Sequence, residues 1–191
     1  MLLRPTMQAA DATSITACAA VAVAEAVEDL APVRADIKWV NDIFIDGKKV
    51  CGILTEMSLE RDYIQNVVIG VGINVRKQEF DPDIAATATS LEEAFGGKIG
   101  RCALIADIMG YFEEYYESFI RTGNLMELKN QYNTWLVNKD REVCVLDPKG
   151  EYQGIARGIN DQGELLVEDS RGKVREVYAG EVSVRGIYGY V

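Results

Sequence analysis

The sequence predicts an α+β protein: a mixed β-sheet with helices packed on one face, followed by a small β-barrel of SH3-like size. Two strand-rich stretches, Asp36–Met57 and Asn66–Val75, lie between two helical segments, Ser14–Leu30 and Arg101–Arg121. After Asn138 the chain changes to short apolar strands separated by Asp-Pro, Gly and Asp-Gln-Gly turns, which is typical of small barrels. We therefore expect two units, residues 1–138 and residues 139–191.

Both helical segments carry apolar residues at helical spacing. The first is rich in alanine and valine, and Gly123 ends the second. One face of the second helix is predicted to pack in the core, through Leu104, Ile108, Phe112, Tyr115 and Phe119. Before it, Arg76–Ser90 shows no sustained period, so we predict a long loop and then a short helix near Ser90–Phe95.

Composition excludes several classes of protein. The 191 residues are 48% apolar and 26% charged, as in ordinary globular proteins, and the net charge of −10 argues against nucleic acid and anionic membranes as partners. No histidine is present, which excludes Ser-His-Asp and Cys-His catalysis and zinc sites built on imidazole. The four cysteines are widely spaced, so we expect a reduced, cytoplasmic protein with no metal site of its own.

The stretch Asp36–Met57 predicts a hairpin that carries charge where a plain hairpin needs none. Asp46-Gly47 is a strong signal for a two-residue type I′ turn. Continuous strands on either side would pair Ile45 with Lys48, Phe44 with Lys49, Asp42 with Cys51 and Lys38 with Thr55. Alternation then places Lys38, Asp42 and Lys49 on one face, together with Val40, Phe44, Cys51 and Ile53.

That charged face has two interpretations. Because the face is also apolar, Lys38, Asp42 and Lys49 should be partly desolvated, where unpaired charges are costly. They form either a structural ion-pair cluster or a site whose surplus positive charge is neutralised by a carboxylate or phosphate ligand. Gly70 and Gly72 on the following strand would let a ligand approach the backbone closely.

Four segments in this order resemble one known family: "KWVNDI", "GKKVCGILTE", "VVIGVGINV" and, near the end, "GEVSVRG". They are similar to the catalytic core and C-terminal domain of bacterial biotin protein ligase, the biotin–[acetyl-CoA-carboxylase] ligase family. Val40 stands where that family more often has proline, a change that removes rigidity but no chemical group. The resemblance implies a biotin/lipoyl ligase-like core, ATP, biotin and Mg²⁺. It also implies formation of biotinyl-5′-AMP and transfer of biotin to a lysine of a biotin carboxyl carrier protein.

The resemblance also implies roles for individual residues. Lys38 would stabilise charge at the reacting carboxylate and α-phosphate, and Asp42 would assist the incoming lysine amine or orient the metal. The substrate and biotinyl-AMP contacts would come from Lys49, Gly52, Ile53, Gly72 and Asn74, with Asn74 bonding adenine. Asn41 falls on the opposite face and more naturally braces the hairpin, and Phe80 is the one aromatic residue of the predicted loop.

One family feature does not occur in these residues. The Gly-Arg-rich biotin and phosphate loop, which precedes the hairpin in the family, is not found in this sequence. Because its arginines would supply charged hydrogen bonds of roughly 1.5–3 kcal/mol each, we expect an N-terminally truncated ligase with impaired activity. A helix-turn-helix is also not found, so we expect no DNA partner, while a homodimer is allowed.

Two alternatives stay open beside the ligase. A lipoyl or octanoyl transferase would need a thiolate nucleophile, and Cys51 lies between two lysines in the predicted hairpin, a setting that lowers a thiol pKa. Buried cysteine acting as a small hydrophobic residue is the commoner case. The second alternative is a protein that binds the carrier or dimerises without catalysis.

Overall fold

The computed structural model describes residues 1–9, 11, 14–60, 63–147, 150–178 and 183–186. The first part of the chain contains β1 (Leu2–Leu3), α1 (Ser14–Leu30), β2 (Asp36–Lys38), β3 (Asp42–Ile45), β4 (Lys48–Glu60), β5 (Tyr63–Ile73), α2 (Leu91–Phe95), α3 (Arg101–Thr122) and α4 (Lys129–Trp135). The second part contains β6 (Glu142–Leu146), β7 (Tyr152–Ile159), β8 (Leu165–Glu168), β9 (Val174–Val177) and β10 (Ser183–Gly186).

The first five strands form one sheet in the order β1-β5-β4-β3-β2, with antiparallel pairing throughout. Parallel contacts are two isolated bridges, Ile37 with Leu136 and Lys49 with Ala88. The edge strand β1 was not predicted, because two residues carry no periodic pattern; Leu2 pairs with Val68. The predicted α+β class, with helices and a following β domain, is confirmed, but the prediction of a mixed sheet was wrong, because all of these strand pairs are antiparallel.

Helix α1 lies at the centre of the first part of the chain. It contacts β2, β3 and β4 of the sheet and the helices α3 and α4. Nearly all of its residues from Ser14 to Val27 are buried, which explains a composition of alanine, valine and cysteine around the whole helix. The predicted bounds of α1 are confirmed, but the layering differs from the prediction: α1 covers the sheet, and α3 packs on α1.

The predicted apolar face of α3 is confirmed in the described chain. Leu104, Ile108, Phe112 and Phe119 are buried, and Tyr115 is half-buried. Gly123 ends the helix in the left-handed region, with φ of 70°, and its N–H donates to Phe119 O at 2.8 Å. Helix α2 is capped by Ser90, whose side chain accepts a hydrogen bond from Glu93 N, as predicted for a short helix at this place.

The second sheet has the order β10-β6-β7-β8-β9, and its strands lie within the stretches that the sequence predicted. Closure of this sheet into an SH3-like barrel stays a prediction, as does the boundary at residue 138. No helix in the described ranges is long and apolar enough to cross a membrane.

Candidate functional site

The predicted first strand of the hairpin is divided in two. Strands β2 and β3 form a hairpin of their own around a turn at residues 39–41, so Lys38 pairs with Asp42 and not with Thr55. Asn41 fixes this turn to β4, since its Nδ2–H donates to Ile53 O at 2.8 Å and its carbonyl accepts from Ile53 N at 2.9 Å. The prediction that Asn41 braces the hairpin therefore agrees with these contacts, whereas the prediction of a single long strand was wrong.

A register shift in the β3–β4 hairpin decides which side chains share a face. The turn pairs, Ile45 with Lys48 and Phe44 with Lys49, are confirmed, and Asp46 and Gly47 both have the positive φ of a type I′ turn. Between Ile43 and Phe44 the register then shifts. Asp42 consequently pairs with Gly52, and the predicted pair of Asp42 with Cys51 was wrong.

The shift moves two predicted site residues away from the charges. Cys51 pairs with Ile43, and Cys51 and Ile53 are buried in the core, 1% and 2% exposed. The expectation that Ile53 presents its side chain to a ligand is therefore corrected. Gly52 takes the place beside the charged residues. We call the surface formed by Lys38, Asp42, Lys49, Gly52 and Gly72 the open face.

The three predicted charged residues converge on the open face. Lys49 Nζ lies 2.6 Å from Asp42 Oδ1, with 40% and 21% of the two side chains exposed. Lys38 Nζ lies 5.7 Å from the centre of the Phe44 ring, a cation–π contact on the same side of the hairpin. Because Lys38 and Asp42 are directly paired across β2 and β3, two lysines and one carboxylate share this face of the sheet.

Glycines keep the surface beside these charges low. Gly52 pairs directly with Gly72 across β4 and β5, and the next pair along this face is Leu54 with Gly70. A Cβ added at Gly52 would lie 3.3 Å from Lys49 Nζ and 3.5 Å from Asp42 Oδ1. A side chain here would therefore crowd the ion pair, and its absence leaves space for a ligand against the backbone.

The loop predicted at residues 76–90 returns alongside Lys49. Lys49 N–H donates to Thr87 O at 2.8 Å, and Thr89 N–H donates to Lys49 O at 3.0 Å. Asn74 joins the loop to β5, because its Nδ2–H donates to Thr89 O at 3.2 Å and its Oδ1 accepts from Gln78 at 3.2 Å. Phe80 is half-buried in the same loop.

Two elements of this site were not predicted from the sequence. The return of Thr87–Thr89 beside Lys49 depends on contacts between distant segments and leaves no local pattern. The contact between Lys38 and the Phe44 ring had a signal, since alternation already placed both residues on one face.

Cys51 does not have the environment of a reactive thiol. Its pKa is raised to about 12, chiefly by burial and in addition by the nearby Asp42 carboxylate, while Lys49 opposes the shift. A thiol with this pKa is neutral near pH 7, and thiolates are the nucleophilic form. The expectation that two lysines would activate Cys51 was therefore wrong, because burial outweighs their charge.

Comparison with known families shows to which family the chain belongs. Residues 1–134 match the model of the biotin/lipoate A/B protein ligase family, and residues 140–185 match that of the biotin protein ligase C-terminal domain. The chain belongs to the biotin/lipoate A/B protein ligase family. The hairpin with Lys38, Asp42 and Lys49 and the Gly52–Gly72 pair lie inside the first match.

The alignments with curated relatives of this ligase family extend over the whole site. The bifunctional ligase/repressor BirA of Bacillus subtilis is 36% identical over 186 residues, which are 96% of this chain and 57% of that protein. The biotin–[acetyl-CoA-carboxylase] ligase of Paracoccus denitrificans is 26% identical over 194 residues, 97% of this chain and 79% of that protein. The chain thus spans little more than half the length of the Bacillus relative.

A solved structure of the family has the same architecture. The biotin protein ligase from Aquifex aeolicus in complex with biotin and ATP superimposes with a TM-score of 0.81 at 26% identity. The alignment covers 91% of this chain and 72% of that chain.

Proposed function

We propose that this chain is the catalytic portion of a biotin protein ligase that makes biotinyl-5′-AMP from biotin and ATP and transfers biotin to a lysine of a biotin carboxyl carrier protein. The observation that carries the proposal is that Lys38, Asp42 and Lys49 share one face of the sheet beside the Gly52–Gly72 pair, with Lys49 and Asp42 in direct contact. Membership of the ligase family and the names of its relatives support the same reaction.

The open face has the charges that the first half-reaction needs. A carboxylate oxygen of biotin attacks the α-phosphorus of ATP, the bond to the β-phosphate oxygen breaks, and pyrophosphate leaves. Negative charge accumulates on the phosphate oxygens during this step, and fixed ammonium groups stabilise it. In this proposal Lys38 and Lys49 supply that charge, and the weak pair of Lys49 with Asp42 opens to the ligand.

The second half-reaction needs a proton acceptor. The neutral amine of the carrier lysine attacks the acyl carbon, AMP leaves, and the nitrogen loses a proton. Asp42 shares this face with the two lysines, and in this proposal its half-buried carboxylate accepts the proton that the amine nitrogen loses.

Nucleotide recognition is proposed for the other end of the open face. Gly72 provides close backbone approach, and the carboxamide of Asn74 has donor and acceptor edges that match adenine. Phe80 and the loop at residues 76–90 would cover the nucleotide, while Asn41 braces the hairpin. Mg²⁺ would arrive on the phosphates of ATP as part of the substrate, and Asp42 is the carboxylate of this face that would orient it.

The proposal also covers the activity, the partners and the location of this chain. We expect weak activity from the 191 residues alone, because the Gly-Arg-rich phosphate loop does not occur among them. The net charge of −10 favours a protein partner over DNA. A cytoplasmic location, a homodimer and a division into units at residue 138 complete the proposal.

The transferase alternative is disfavoured by one observation. It needs a thiolate, and burial of Cys51 raises the pKa of its thiol to about 12. A non-catalytic carrier-binding protein would share the fold, but it would not need two lysines beside the paired glycines of the open face.

Biotin-dependent release of pyrophosphate from ATP tests the proposal. We expect slow release by the 191-residue chain and faster release when it is fused to the segment that precedes the aligned region in the Bacillus subtilis relative. Absence of release from both proteins would overturn the ligase function. Acyl transfer that needs no ATP and is abolished by iodoacetamide would instead favour the transferase alternative. Full turnover by the unfused chain would overturn the expected impairment.

A further inference from the structure

The turn Asn160–Gly163, between β7 and β8, docks the second sheet onto the first part of the chain. Three successive carbonyl oxygens of this docking turn accept hydrogen bonds from three separate segments. The donors are Leu125 N–H to Asp161 O at 2.7 Å, Ser14 Oγ–H to Gln162 O at 2.8 Å, and Trp39 Nε1–H to Gly163 O at 3.0 Å. An ion pair of Lys129 with Asp161, at 2.6 Å, lies beside them.

The docking turn has a fixed shape of its own. Asn160 Oδ1 accepts hydrogen bonds from the N–H groups of Gln162 and Glu164, both at 3.0 Å. Gly163 has φ of +82°, and a Cβ added there would lie 3.0 Å from Leu125 Cδ1. Glycine is thus required at the residue that accepts from Trp39, and the acceptor is held rigidly.

Trp39 belongs to the turn that separates Lys38 from Asp42. Its side chain is 7% exposed, so the indole is enclosed and its N–H is directed at the docking turn. The distance between the Lys38 ammonium and the Asp42 carboxylate depends on the shape of this turn, because the two residues stand at its ends. At the other end the turn is tied to β4 through Asn41.

We propose that Trp39 is a positioning residue: the docking turn of the second sheet holds its indole and thereby sets the place of Lys38 relative to Asp42. The second sheet then contributes to the reaction through Trp39. The catalytic consequence rests on the proposed ligase function, whereas the structural coupling rests on the hydrogen bonds alone.

Two variants of the 191-residue chain separate positioning from docking. Trp39→Phe keeps an aromatic ring and removes the N–H that bonds Gly163 O. Ser14→Ala is the matched control, because it removes the neighbouring hydrogen bond to the same docking turn from α1, away from the turn between Lys38 and Asp42. β-(3-Benzothienyl)alanine at position 39 keeps the bicyclic shape without the N–H and serves if Trp39→Phe fails to fold.

Amide hydrogen exchange and kinetics provide the readouts. For the variants at position 39 we expect exchange in residues 38–43 to rise about tenfold. We also expect kcat for biotin-dependent pyrophosphate release to fall about tenfold, with the KM values for biotin and ATP changed less. Ser14→Ala should alter exchange in the docking turn alone and leave kcat unchanged.

Equal exchange in residues 38–43 for the chain and the position-39 variants would overturn the coupling. A loss of kcat in Ser14→Ala as large as that in Trp39→Phe would show that docking of the second sheet matters in general, and would overturn the specific role of Trp39. An unchanged kcat in Trp39→Phe would also overturn that role. If neither the unsubstituted chain nor its fusion releases pyrophosphate, the proposed function is at fault, and the exchange pattern alone decides the coupling. If only the fusion releases pyrophosphate, the same variants are compared in the fusion.

Discussion

Lys49 Nζ lies 2.6 Å from Asp42 Oδ1, and the two groups meet over Gly52, where a Cβ would stand 3.3 Å from the ammonium. Both side chains keep contact with solvent, so the pair contributes only about 0–1 kcal/mol to stability. An interaction of this size does not explain why two lysines and one carboxylate lie together on a sheet face. An anionic ligand that competes with the Asp42 carboxylate for the Lys49 ammonium would explain this grouping.

Replacement of Lys38 by alanine tests the charge requirement. In the fused enzyme we expect Lys38→Ala to slow biotin-dependent pyrophosphate release at least tenfold, equivalent to about 1.4 kcal/mol of lost transition-state stabilisation. Lys48→Ala, at the exposed hairpin turn, is the control and should keep the normal rate. Equal rates in the two variants would remove Lys38 from the mechanism.

Gly52→Ala tests the low surface beneath the ion pair. The added Cβ would meet the end of the flexible Lys49 side chain, which can move, so the fold should tolerate it. The ammonium would then be displaced, and we expect binding of a biotinyl-adenylate analogue to weaken about fivefold, or about 1 kcal/mol. Gly110→Ala is the control, because this glycine is exposed on α3 and an added Cβ would meet nothing within 4 Å; titration calorimetry should show the affinity of the unsubstituted chain.

Asn74→Ala tests the nucleotide site. Calorimetry on the 191-residue chain should show weak ATP binding that this substitution abolishes, because adenine loses its carboxamide partner. Gln78→Ala removes the hydrogen bond to Asn74 Oδ1 but leaves the carboxamide in place, so binding should persist. Loss of binding in both variants would show that Asn74 acts by ordering the loop at residues 76–90.

The buried thiols predict a pH dependence of stability. Burial raises the pKa values of Cys18 and Cys51 from 9.0 to about 12. Between these limits the unfolded chain loses the thiol protons while the folded chain keeps them. The stability contribution, complete below pH 9, is therefore lost as the pH rises towards 12, by about 1.4 kcal/mol per pH unit for each thiol.

Urea unfolding at pH 8, 9 and 10 measures this slope. Tyrosine and lysine residues also titrate in this range, so the comparison between variants is the informative quantity. Cys51→Ala should reduce the fall in unfolding free energy relative to the unsubstituted chain, whereas Cys102→Ala, at an exposed position, should not. The same slope in both variants would contradict burial of the Cys51 thiol as the cause.

The sequence by itself determined most of the helices and strands and the residues that we propose for the site. Helical spacing predicted α1 and the apolar face of α3, and the Asp46-Gly47 pair predicted the hairpin turn, because these features depend on neighbours within a few residues. The motifs around Lys38, Gly52 and Asn74 were enough to indicate the ligase family.

Only the tertiary structure decided which of those residues meet. A shift of one residue in register reverses the face of every side chain beyond it, and the shift between Ile43 and Phe44 moved Cys51 and Ile53 into the core and brought Gly52 to the charges. The turn at Trp39 depends likewise on Ile53, 12 residues from Asn41, and on Gly163, 124 residues from Trp39. Hydrogen bonds between segments so far apart set the register and the turn, and a local sequence pattern does not contain them.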